Sequence, residues 1–162
     1  LENTCCAIGR KTTNPYLEKY FVQPLRTNFG SRLIHKKRAM LATVKALKRH
    51  QHVGILIDQK AKSSVGIDLP FFGKPVRALR ISAILQMRYN TPVIPLFMIR
   101  QPDGRYRLLM RSPIIMNNCN VDDEDAVREL ALAHHKAIEE TIREYPEQWL
   151  WMHRRWKRKR SS

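Results

Sequence analysis

Residues 53–57 form the apolar run Val53-Gly54-Ile55-Leu56-Ile57, which stops at Asp58. A short run of this kind reads as a strand buried on both faces of a parallel sheet. A parallel strand has to be reached by a crossover, and helical patterns stand on both sides of this one. Upstream, Asn14-Pro15 marks a helix start, and Leu17, Tyr20, Phe21, Leu25 and Phe29 continue at helical spacing up to Gly30. Pro24 is expected to kink or split that helix. Residues 32–35 suit a short strand. Residues 38–49 suit a second helix, with Leu41, Val44, Ala46 and Leu47 on its core face.

Downstream, residues 60–75 read as an irregular loop and residues 76–89 as a helix. Residues 92–100 and 105–111 flank Asp103-Gly104, a hairpin signal. Asp122, Asp123, Glu124 and Asp125 load the first turn of a long helix with negative charge, and its buried face is expected to carry Val127, Leu130, Ala131, His134 and Ile138. A further helix is expected from Pro146. Alternating helices and strands make the fold class α/β, with a mixed, mainly parallel sheet and flanking helices. At 162 residues the chain suits a single domain, residues 1–157, followed by a basic tail at 158–162.

Lysine and arginine number 30 against 14 aspartates and glutamates, and the net charge of +16 calls for an anionic partner. Nucleic acid, phospholipid headgroups and an acidic carrier protein all qualify. No apolar run approaches the roughly 18 to 20 residues that cross a bilayer. Cys5, Cys6 and Cys119 are an odd set in which the two neighbours are poorly placed to pair, which fits a reducing compartment. None has zinc-ligand spacing, so neither a metal nor a cofactor is expected.

The segment Tyr145-Pro146-Glu147-Gln148-Trp149-Leu150-Trp151-Met152-His153-Arg154-Arg155-Trp156-Lys157 sets all three tryptophans among basic residues. On a helix, Trp149 and Trp156 would share a face with Arg154 and Arg155 beside them, which suits a membrane interface. The same spacing suits a helix whose tryptophans close the core.

This segment resembles the closing signature of the bacterial lipid A biosynthesis acyltransferases, the lauroyl and myristoyl transferases of lipopolysaccharide assembly. Three further blocks resemble the same family in the same order: residues 10–15, 54–73 and 91–100. The resemblance implies a glycerolipid-acyltransferase-like fold. It also implies transfer of a fatty acyl chain from acyl carrier protein to a phosphorylated lipid A precursor, on the cytoplasmic face of the cell inner membrane. Both partners are anionic, so the basic excess is accounted for without nucleic acid.

Acyl transfer to a hydroxyl needs a base and donors for the oxyanion. In the superfamily that this family resembles, the base is a histidine with an acid five positions later, upstream of the blocks matched here. The chain is accordingly expected to be a C-terminal fragment without its catalytic pair, inactive alone, with any membrane anchor in missing sequence. His134 with Glu139 and His135 with Glu140 copy the spacing. Five helical residues advance about 500°, however, leaving such side chains about 140° apart. His134 is expected in the core, and His135 in a surface pair with Glu139.

What the resemblance implies for binding falls on Arg10 and Asn14, on Asp58 and Gln59 at the strand end, on Phe71 and Phe72 at the mouth of an acyl groove, and on Arg100. Trp149, Arg154, Arg155 and Trp156 are expected at the membrane surface. Each has a plainer alternative: solvated arginines at 10 and 100, a turn cap at Asp58, loop aromatics packing back on the domain. The loop after Gln59 lacks the superfamily's Glu-Gly-Thr-Arg pattern, and Val76-Arg77-Ala78-Leu79 replaces the small residues and threonine usual after the proline. Two other functions remain open: a basic nucleic-acid-binding module, for which no motif stands, and a non-catalytic peripheral membrane-binding fragment.

Overall fold

A computed structural model describes residues 5–9, 11–35, 39–116 and 121–156. They divide into two compact units, Leu1–Leu56 and Ile57–Ser162.

In the first unit, strands β1 (Cys5–Gly9), β2 (Arg32–His35) and β3 (His52–Gly54) form a parallel sheet of order β2-β1-β3. Asn14 starts the helical run between β1 and β2, its Oδ1 accepting from the backbone N–H groups of Tyr16 (3.0 Å) and Leu17 (3.2 Å), with Pro15 in the first turn. The run splits as Pro24 predicts. Helix α1 (Pro15–Leu17) passes into a π-helical segment, Glu18–Val22, and then into α2 (Gln23–Thr27), which holds the proline in its first turn where no N–H is needed. Helix α3 (Ala39–Lys48) crosses back to β3. Strand β3 is shorter than the apolar run promised: its ladder with β1 ends at the pair Ala7 and Gly54, and residues 55–57 lie beyond it.

The second unit opens with β4 (Gly66–Phe71) and β5 (Lys74–Leu79), an antiparallel hairpin where an irregular loop and the start of a helix were expected. Phe72 and Gly73 form its turn with φ of 50° and 71°, the left-handed pair that a two-residue hairpin demands. That turn makes Phe71 and Lys74 a hydrogen-bonded pair, so the next pair, Pro70 opposite Pro75, is a non-hydrogen-bonded one whose nitrogens point out of the ladder. Both prolines are therefore tolerated. Leu69, Phe71, Val76 and Ala78 alternate inward and are almost fully buried. Helix α4 (Ile81–Tyr89) follows and ends on Asn90 in the left-handed conformation.

The hairpin at Asp103-Gly104 forms as expected from β6 (Leu96–Arg100) and β7 (Tyr106–Met110). Helix α5 (Glu124–Glu144) starts on Asp123, whose carboxylate accepts from the N–H groups of Asp125 and Ala126. Its stripe of Val127, Leu130, Ala131, Ile138 and Ile142 closes the core against the β4–β5 hairpin and Ala83 of α4. Among the described residues no α-helix follows Pro146. A single 3₁₀ turn, Pro146–Gln148, gives way to successive turns through Trp156, held in part by the Trp151 indole N–H donating to the Pro146 carbonyl (2.7 Å).

The class is thus mixed α/β, but the sheet is not mainly parallel among the described residues. One three-stranded parallel sheet stands beside two antiparallel pairs. No helix among the described residues is long and apolar enough to cross a membrane.

Candidate functional site

The second unit gathers several of the residues singled out from sequence around the end of β4. Phe71 is fully buried rather than exposed on a loop. Its ring meets Phe72 edge-on at 5.0 Å, Trp156 at 5.8 Å and Trp149 at 6.4 Å between centroids. Phe72, half-buried, also faces Trp151 at 6.3 Å, and Trp151 stacks nearly parallel on Trp156. The Trp156 indole N–H donates to the Phe71 carbonyl (3.3 Å). Trp149 and Trp156 therefore close the core. Trp151, which no expectation singled out, is the half-exposed member of the cluster at 51%.

Phe72 keeps its left-handed backbone although it carries a bulky side chain, a conformation that costs energy unless its surroundings enforce it. Glu139 of α5 supplies part of that enforcement: its Oε1 accepts from the Phe72 N–H at 2.9 Å. Arg143, one turn further along α5, lies 3.8 Å from Glu139 and places its guanidinium 4.8 Å above the Phe72 ring.

Arg155 departs furthest from expectation. Placed at a membrane surface by the sequence, it is 1% exposed, because the chain turns after Pro146 instead of continuing as a helix. Its guanidinium lies 4.2 Å over the Phe71 ring. Burial pulls its pKa down to about 10, against the charges of Asp58 and Glu139, which favour the cation. Arg154 remains exposed. Asp58 is half-buried with Oδ1 sealed from solvent, and Gln59 beside it is exposed.

His135 also overturns its expected surface pairing with Glu139, since it is fully buried on α5. Its Nδ1–H donates to the Ala131 carbonyl (2.8 Å). Burial lowers its pKa, the Ala131 carbonyl opposes this, and the Arg155 charge lowers it further. His134 occupies the core as expected. Gln86 donates from Nε2 to the Ile114 carbonyl, which turns its Oε1 toward His134 at 2.8 Å, so His134 donates from Nε2 and accepts from the Ser82 hydroxyl at Nδ1 (2.9 Å). Burial pushes its pKa down to about 4, with the neighbouring His135 adding to the effect. Both imidazoles are neutral near pH 7, sealed from solvent, and bonded to groups other than carboxylates. Neither can serve as a base toward a bound substrate.

Arg10 lies outside the described residues. Asn14, in the first unit, spends its side-chain oxygen on capping α1. Arg100 is exposed at the end of β6, where the Gln148 amide clamps its backbone: the Arg100 N–H donates to Gln148 Oε1 (2.9 Å) and its carbonyl accepts from Nε2 (3.1 Å). No group of three or more metal-ligating side chains occurs among the described residues.

Glu139 and His135 were missed as parts of the site because their spacing also fits a surface pair. On α5, His135 directly follows the buried His134 and shows itself by burial, and Glu139 shows itself by its bond to the Phe72 N–H. The family model described as bacterial lipid A biosynthesis acyltransferase matches residues 2–158. No curated protein matches the chain.

Proposed function

The chain belongs to the bacterial lipid A biosynthesis acyltransferase family, and from that premise we propose that it transfers a fatty acyl chain from acyl carrier protein to a phosphorylated lipid A precursor at the cytoplasmic face of the inner membrane. The observation that carries this reading is a family match running from residue 2 to residue 158, nearly end to end. The net charge of +16 supports it, since an acidic carrier, a phosphorylated acceptor and an anionic bilayer all carry the opposite sign.

Within this reading Arg10 and Asn14 bind the anionic or carbonyl groups of substrate, Arg100 and Arg154 offer exposed cations to phosphate, and Asp58 with Gln59 orients the acceptor hydroxyl. Phe72 and Trp151, the partly exposed members of the aromatic cluster, provide apolar surface for the acyl chain, where burial contributes about 0.8 kcal/mol per methylene. Phe71, Trp149 and Trp156 support them from the core. The base that takes the hydroxyl proton is neither His134 nor His135.

The test is acyl transfer by the polypeptide expressed from its whole reading frame. Phosphorylated precursor incubated with acylated carrier protein should gain the mass of one acyl group, and acyl-coenzyme A should serve poorly in its place. Asp58→Asn should lower kcat/KM by about 10- to 100-fold, the loss of one hydrogen bond to a charged group. A precursor that gains no acyl group from any donor would refute the proposal.

A further inference from the structure

The corner where β4 ends holds more buried charge than packing alone requires. Arg155 is 1% exposed, and its Nε, Nη1 and Nη2 are all buried without a direct hydrogen-bond partner in the protein. Asp58 Oδ1 is buried and unpartnered in the same way. The charges of Asp58 and Glu139 both act on the Arg155 guanidinium. A separation wider than a direct hydrogen bond, between a buried guanidinium and half-buried carboxylates, suits a bridging water. Glu139 in turn accepts the N–H of Phe72, the residue whose left-handed backbone needs enforcing.

A guanidinium unpaired in a dry core is far costlier than one ring contact repays, so the stack on Phe71 cannot by itself explain why an arginine stands at 155. Asp58 Oδ1 would be similarly costly to seal away without a counter-charge, whereas Glu139 also has Arg143 beside it at 3.8 Å. We propose that Arg155 is a positioning residue: stacked on Phe71, its buried guanidinium fixes the carboxylates of Asp58 and Glu139 across a water-bridged gap, and through Glu139 it sets the Phe72 turn. The C-terminal turns thereby act as a latch that pins Asp58 from far along the chain. The catalytic consequence rests on the acyltransferase reading in which Asp58 orients the acceptor; the latch itself does not.

The test is a double-mutant cycle on the intact protein. Arg155→Met keeps volume and removes charge, whereas Arg155→Lys keeps charge and loses the planar fork. Arg155→Met should lower the melting temperature by about 5–10 °C. In an Asp58→Asn background that loss should shrink by at least half, because the stranded carboxylate is gone. Equal losses in both backgrounds would overturn the proposal and leave Arg155 as a packing residue on Phe71. Should Arg155→Met fail to fold, Arg155→Gln, which also removes the charge, run through the same cycle decides by the same criterion.

In the acyl-transfer assay, Arg155→Lys should lower kcat by about tenfold with the KM for the acyl donor little changed, the signature of a misplaced orienting group. The Asp58→Asn, Arg155→Lys double variant should be no slower than Asp58→Asn alone. Multiplicative losses there would count against the latch. The melts need no substrate, so the two ideas fail separately. Coupling without any acyl transfer refutes the function and keeps the latch, and acyl transfer without coupling does the reverse.

Discussion

The two units solve the same problem with very different means. In the first, Cys6, Ile34 and Ala46 form the buried cluster, with Ile8, Ala39, Ala42 and Val53 packed against it, and the helical run from Pro15 to Thr27 buries only Glu18. Tyr16, Tyr20, Phe21 and Leu25 on that run are all exposed by more than half. In the second, the β4–β5 hairpin, α4 and α5 close on a core from Leu69 to Ile142, with Trp149 and Trp156 over it. A capped start and apolar residues at helical spacing are therefore enough to specify a helix. They do not by themselves supply the surface that would bury it.

This contrast predicts unequal costs for comparable deletions. Phe71→Ala removes a fully buried ring enclosed by Phe72, Trp149, Trp156 and the Arg155 guanidinium, and should destabilise the protein by about 3–5 kcal/mol. Ile34→Ala, in a small cluster able to relax, should cost about 2 kcal/mol, the low end for an aliphatic truncation. Urea unfolding of both variants, followed by circular dichroism, measures the two losses. Equal losses would mean that the first unit is packed as tightly as the second.

How much of this was legible in the sequence depended on which signal governed each stretch. Asp103-Gly104 announced its hairpin because Gly104 takes the positive φ of 82° that such a turn needs. Asp123 and the acidic residues after it announced α5, and Asn14-Pro15 announced α1. The β4–β5 hairpin was hidden by Pro70 and Pro75, which read as loop residues until the register shows them facing each other at the one kind of pair that spares their nitrogens. Phe72-Gly73 was hidden too, since phenylalanine is a rare occupant of a left-handed turn position. The tryptophan segment misled through its period, which fits a helix, while Pro146 and the side-chain bond from Trp151 settle it as turns. The expected exposure of Arg155 rested on that helix, and the expected exposure of His135 on its spacing with Glu139; both are buried. A basic residue beside a tryptophan carries no local sign that tertiary structure will enclose it.

The second unit should also carry an acid sensitivity traceable to one side chain. His134 has its pKa depressed from 6.5 to about 4, so the unfolded chain binds a proton at this position between those values and the folded chain does not. Its contribution to stability is complete above pH 6.5, declines as the pH falls toward 4, and declines no further below that. A shift of this size is worth about 3 kcal/mol. All three tryptophans, at 149, 151 and 156, lie in the second unit, so their fluorescence reports its unfolding specifically. Denaturation series from pH 7 to pH 4 should show the decline, and His134→Gln should flatten it even though that variant starts from a lower level. A slope unchanged by His134→Gln would move the acid sensitivity elsewhere.

The smallest effect bears on the first unit and separates two roles for one residue. Asn14 caps α1 through its side-chain oxygen, and Asn14→Ala leaves the N–H groups of Tyr16 and Leu17 without that acceptor at a cost of about 1 kcal/mol. Because the helix it starts buries so little, the loss should show as faster amide exchange over residues 16–27 and barely at all in tryptophan fluorescence. Asn14→Asp offers an equally good capping oxygen and should restore the exchange rates. The same substitution places a negative charge where an anionic substrate is proposed to bind. If Asn14 touches that substrate, Asn14→Asp should raise KM by about tenfold while the helix stays intact, a penalty of the size expected for one unfavourable charge contact. If KM follows the exchange rates instead, recovering in Asn14→Asp and worsening in Asn14→Ala, the residue serves binding only by holding α1 in place.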